Sequence, residues 1–172
     1  MTSEVRYIIE NRKFKKTLVD YFDHFEFIFV IMVPLKGVLL LYEGGGVIKY
    51  VLGTMLILST FPLAKFMSVR HRQLYEFEEI ESKGTSEENF VRVLQGLKTL
   101  NIVELDRDFL NVTINAKYKA TSLIPPFIEW LTIVSLDDKI LVNSRPFPPS
   151  RIMWFRRNAM IDFVNSLNNA SE

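Results

Sequence analysis

An apolar hairpin at residues 25–66 constrains this chain more than anything else in it: two hydrophobic runs separated only by Glu43, Gly44, Gly45 and Gly46. The windows 27–42 and 47–64 carry one charge each, Lys36 and Lys49, while the remainder is rich in Lys, Arg, Asp and Glu. Such a division points to two solvents. Two membrane-spanning helices are therefore expected, 25–42 and 47–66. The first is short for hydrocarbon about 30 Å thick at about 1.5 Å per residue, and Pro34, followed by Gly37, predicts a kink within it. The glycines permit the positive φ of a tight turn, so the two helices are antiparallel neighbours. The first run starts well inside the chain and leads into a second one without a small-residue cleavage pattern, so a retained hairpin is expected rather than a signal peptide.

Lys36 is the conspicuous residue of this segment. A lysine at the centre of a span costs about 2.5–3.5 kcal/mol on insertion scales, which makes an intramembrane lysine a candidate functional group. Lys36 lies six residues from Tyr42, so its stem can also snorkel to the interface or its ammonium can pair with Glu43. Lys36, Glu43 and Lys49 together form the candidate polar cluster near one rim of the hairpin. Gly53, Ser59 and Thr60 offer close-packing points, but no GxxxG pattern specifies an oligomer. Basic residues flank the hairpin on both sides, Arg6, Arg12, Lys13, Lys15 and Lys16 before it and Lys65, Arg70 and Arg72 after it, and none lies in the turn. The expectation is a multi-pass protein of the cell inner membrane with both termini cytoplasmic.

The flanking segments divide the rest of the chain. Residues 1–24 have apolar positions at spacings of three and four and read as an amphipathic helix, suited either to the headgroup region or to a place over the soluble domain. Residues 67–84 read as a charged helical stalk in which Leu74, Phe77 and Ile80 keep a spacing of three. A cytoplasmic α+β domain follows at 85–172. Thr85 and Glu88 form a capping box before a helix at 86–100. Strands are expected at 102–105, 109–118, 127–136 and 139–144, with turns at 106–108 and 137–138 and with Arg145-Pro146 closing the sheet. A last helix spans 156–168. The order is helix, four-stranded antiparallel meander, helix, with both helices on one face.

Several chemistries are excluded or made improbable. The chain has no cysteine and only two histidines, so thiolate chemistry is absent and a histidine metal site is not expected. There is no nucleophile elbow and no phosphate loop. The acids at 106–108 and 137–138 occupy turn positions that favour aspartate on conformational grounds. The formal charge of +1 does not indicate a nucleic-acid partner. No enzyme, cofactor or metal is expected. The best candidate binding site is the arginine–aromatic stretch 145–158: Arg145, Arg151, Trp154, Arg156, Arg157 and Asn158. Guanidinium forks match phosphate or carboxylate, and the start of a helix adds free amides, so an anionic small ligand or a cytoplasmic protein is the expected partner.

Two functions fit these observations. In one, the hairpin anchors a non-enzymatic interaction domain at the lipid bilayer. In the other, a ligand or partner engages the domain, and homo-oligomerised hairpins perturb or open the membrane. In the order of its segments the chain resembles small bacterial two-helix membrane proteins with a cytoplasmic sensor domain, including effectors of anti-phage defence. That resemblance carries no site residue.

Overall fold

The computed structural model describes residues 1–16, 26–100, 102–110, 112–119, 128–147 and 157–169. They fall into two compact units, one made of Met1–Lys15 and Gln73–Glu172, the other of Lys16–Arg72.

The first unit is built on a five-stranded antiparallel sheet in the order β1-β5-β4-β3-β2. The strands are β1 (Glu78–Glu81), β2 (Ile102–Asp108), β3 (Thr113–Lys119), β4 (Ile128–Ser135) and β5 (Lys139–Phe147). Both faces of this sheet are covered. On one face Ile80, Ile114, Ala116, Leu131, Ile133, Ile140 and Val142 form a core with Phe90, Val93 and Leu97 of helix α4 (Ser86–Leu97) and with Met160 and Val164 of helix α5 (Arg157–Asn169). Fully burying side chains of this size contributes about 1.5–3 kcal/mol each. Thr85 caps α4 in the expected way: its hydroxyl accepts from the Glu88 amide, and the Glu88 carboxylate accepts from the Thr85 amide. Leu167 of α5 packs over Gly96, where a Cβ would have no room.

On the opposite face Val134 and Leu141 pack with Val5 and Ile8 of helix α1 (Ser3–Asn11), with Phe14, and with Leu74, Tyr75 and Phe77. Here the structure departs from expectation twice. The amphipathic N-terminal segment does not run as one helix, because Arg12 adopts φ 57° and ends α1. Val5 and Ile8 pack on the sheet, and two basic residues meet carboxylates: Arg12 Nε lies 2.8 Å from Glu79 and Lys13 Nζ 3.0 Å from Glu76.

The charged stalk is the second departure, since residues 78–81 form a fifth strand rather than a helix. β1 pairs with β5 over Ile80↔Ile140 and its neighbours. The three-residue spacing of Phe77 and Ile80 has a second solution. An odd spacing in extended chain sends two side chains to opposite faces, and with both faces covered each finds a core: Ile80 beneath α4 and α5, Phe77 beside Phe14 at 4.7 Å between ring centroids. The meander is thus completed by an edge strand that precedes α4 in the chain.

Two turns also shift. β2 continues through Asp106 and Asp108, which pair with Asn115 and Thr113, so the expected acidic turn is strand and the reversal falls after Asp108. β5 runs on through Arg145 and Pro146. β1 reaches only to Val142, so beyond it β5 has an unpaired edge, where a residue lacking an N–H costs no ladder bond.

The second unit contains α2 (Glu26–Glu43) and most of α3 (Val47–Tyr75), joined at Gly44, Gly45 and Gly46, all at positive φ. The helices meet at two glycines. A Cβ on Gly37 would lie 2.7 Å from the Gly53 carbonyl oxygen, and one on Gly53 would lie 2.8 Å from that of Gly37. Backbone touches backbone, which only glycine allows on both sides. α3 is long and apolar enough to cross a membrane, spanning about 44 Å at 1.5 Å per residue, with 6% of its most apolar window buried. α2 is shorter and includes Glu26, Lys36 and Glu43, so among the described residues α3 alone meets that criterion.

Candidate functional site

Antiparallel register assembles the most chemically furnished surface of the α+β unit. Glu104, Lys117, Trp130 and Arg145 are successive partners across β2, β3, β4 and β5, so they form one cross-strand row on one face. The next row on that face is Asp106, Asn115, Thr132 and Asn143. Together with Glu4 and Phe14 from the N-terminal segment, the first row and Asp106, Asn115 and Thr132 line a cleft of about 310 Å³.

Cations and rings alternate along its floor. Arg145 Cζ lies 4.1 Å from the Phe14 ring centroid and 5.3 Å from that of Trp130, and Lys117 Nζ lies 5.5 Å from Trp130. Lys117 also forms an ion pair with Glu104. Each such contact is worth about 0.5–2 kcal/mol, more as water is excluded, so the ladder makes a stiff floor. The positive charge of Lys117 is met by a carboxylate, and both rings cover Arg145. The Glu4 and Asp106 carboxylates have no hydrogen bond or ion pair among the described residues.

A second constellation holds the end of α3. The last carbonyls of a helix have no intrahelical donor, and here side chains supply it. Asn143 Nδ2 donates to the carbonyls of Glu76 (2.7 Å), Gln73 (3.3 Å) and Leu74 (3.5 Å). Arg157 Nη1 donates to those of Gln73 (2.9 Å) and Glu76 (3.0 Å), and its Nη2 lies 3.2 Å from Glu78. Burial pushes the Arg157 pKa down, opposed by the charge of Glu78. From the other side the Phe14 amide donates to Tyr75 O at 3.0 Å and the Phe77 amide to Arg12 O at 2.8 Å. The chain therefore leaves this unit and returns to it at points one hydrogen bond apart.

Glu79 ties the departing strand down, accepting from Arg12 Nε at 2.8 Å and from Lys139 Nζ at 3.2 Å. Desolvation raises its pKa, but the hydrogen bonds and charges of Lys139 and Arg12 outweigh it, and the carboxyl titrates below its ordinary value. A carboxyl depressed on folding contributes stability that is full above the unfolded pKa, about 4, and is lost as pH falls through the lower folded value. Melting curves from pH 6 to pH 2 are expected to show a smaller acid loss for Glu79→Gln than for the parent protein. Identical curves would show that the pair contributes nothing. On the opposite face the Tyr118 and Ser144 hydroxyls both meet the buried Glu129 carboxylate.

Of the expected arginine–aromatic site, Arg145, Arg157 and Asn158 are described, and they are not brought together. Arg151, Trp154 and Arg156 lie outside the described residues. Arg157 is engaged with carbonyls and Glu78, Asn158 is exposed on the first turn of α5, and Arg145 lies on the opposite face of the sheet from α5, in the cleft. In the helical pair, Lys49 Nζ lies 3.3 Å from Glu43 and Lys36 is exposed on α2. Trp130, Lys117, Asn143 and Phe14 are site residues that composition and spacing do not single out; the register does. No protein-family model, no curated protein and no solved structure matches the chain.

Proposed function

We propose that the protein is a two-span integral membrane protein that presents its α+β domain as a non-enzymatic interaction module on the cytoplasmic side of the inner membrane. The observation that carries this reading is the apolar exterior of the helical pair. Ile31, Leu35 and Val38 of α2 and Val51, Met55 and Leu58 of α3 are exposed, within an apolar surface that continues along both helices. Exposed apolar area of that extent calls for lipid or another chain to cover it. The glycine contact supports α2 as the second span, because small residues let helices pack where water provides no driving force. The basic residues on both flanks favour an orientation with both termini in the cytoplasm.

Fusion of a reporter enzyme active only in the oxidising outer compartment after Glu172 is the direct test. Low activity there, with high activity of a cytoplasm-dependent reporter at the same site, is the expected result. The reverse pattern overturns the orientation, and release of the protein from membranes by alkaline carbonate overturns integral insertion. The gated-effector reading draws on one observation of its own: Asn143 and Arg157 grip the last carbonyls of α3, so a ligand that displaces β5 acts directly on that helix end.

A further inference from the structure

We propose that the cleft between the sheet and the N-terminal segment is a binding site for an aliphatic ammonium ion, supplied either by a free polyamine or by a lysine side chain. The inference deepens the interaction-module reading by assigning its ligand chemistry, and it holds whether or not the helical pair lies in a membrane.

Charge decides the sign of the ligand. Three carboxylates, those of Glu4, Glu104 and Asp106, line the cleft against two cations, Lys117 and Arg145. Lys117 is paired with Glu104, and Arg145 is stacked against Phe14 and Trp130, so neither cation presents an open charge to an incoming anion. Glu4 and Asp106 are exposed and have no ion pair among the described residues. What the site lacks is a positive charge.

Hydrogen-bonding capacity decides its form. Thr132 is 5% exposed and lines the cleft, and its hydroxyl has no partner among the described residues. The hydroxyl is therefore left to water or to a group bound in the cleft. Asn115, beside it in the same row, likewise makes no hydrogen bond to a described residue, and its amide oxygen is a further acceptor. Two carboxylates, a hydroxyl and an amide oxygen together suit a group with several N–H donors. A primary ammonium has three N–H donors and no acceptor. The Phe14 and Trp130 rings supply the apolar wall along which the methylene chain of such a cation lies.

The test is calorimetric titration of the purified full-length protein with spermidine and, separately, with a tri-lysine peptide. One-to-one saturable binding of at least one probe is expected, and the tighter of the two identifies the source as a free amine or a side chain. The double variant Glu4→Gln and Asp106→Asn removes two charge-assisted contacts and is expected to weaken binding by at least about tenfold. Its melting temperature is expected to fall only slightly, because neither side chain has a hydrogen bond or ion pair among the described residues and Glu4 gives up only its attraction to the first turn of α1. Glu87→Gln, at an exposed position on α4, serves as the control for bulk charge and should bind like the parent. Absence of saturable binding by both probes overturns the proposal. So does equal affinity of the double variant and the parent, or equal weakening by the control.

Discussion

Replacing Arg157 by methionine is expected to destabilise the α+β unit by about 2–3 kcal/mol. The methionine fills much of the space but donates nothing, so the partly buried Gln73 and Glu76 carbonyls keep the Asn143 amide as donor but lose two charge-assisted hydrogen bonds, a kind worth about 1.5–3 kcal/mol. Glu78 loses its cation as well, though with 55% of its side chain exposed water replaces most of that contact. Asn143 donates to the same two carbonyls, and Asn143→Leu in the Arg157→Met background is expected to cost more than the two single changes added together. Denaturant unfolding of the full-length protein measures all three variants. Additive losses would show that the donors act on separate parts of the structure, and a silent Arg157→Met would remove it from any account of how the helix end is held.

The other large effect is expected in the helical pair. Gly37→Val places a Cβ against the Gly53 carbonyl and within 2.9 Å of Ile57 Cγ1, and a backbone oxygen cannot rotate away. The helices must separate or slide, at a cost of about 1–3 kcal/mol for overpacking. Gly53→Val meets the reciprocal obstruction at 2.8 Å, with Leu41 crowded besides. Both variants should melt lower in detergent than the parent, whereas Leu58→Val, at an exposed position, should lie within about 0.5 kcal/mol of it. If all three behave alike, the glycine contact is not what joins these helices.

What could be read from the amino-acid order was whatever a local pattern determines. The ends of the apolar runs, the capping box at Thr85 and Glu88, and the last helix all follow from signals within one turn of the residue concerned. β1 did not, because Phe77 and Ile80 satisfy helical spacing and also a strand buried on both sides, and only the presence of α1 over one face decides between them. Placing the turn at 106–108 put the β2–β3 register out of step. That error concealed the Glu104–Lys117 pair, and ending the last strand at residue 144 left out the Trp130–Arg145 pair. Arg145 was singled out for its charge and lies in the cleft, yet its stacking partner Phe14 comes from the far end of the chain. Arg157 was singled out for the same reason and is used instead to hold the end of a helix. A guanidinium fork suits backbone carbonyls as well as phosphate, and composition does not distinguish them.

The union of Met1–Lys15 with Gln73–Glu172 in one unit has a consequence for how the protein is made. Val5 and Ile8 are synthesised well before their partners Val134 and Leu141, and both apolar helices emerge in between. Packing of the N-terminal segment on the sheet must therefore wait until β4 and β5 have been made. Synthesis of the helical pair precedes closure of the domain in time, and a fragment starting at residue 85 would be born without β1 and with the Lys139–Val142 edge of β5 open to pairing with another chain.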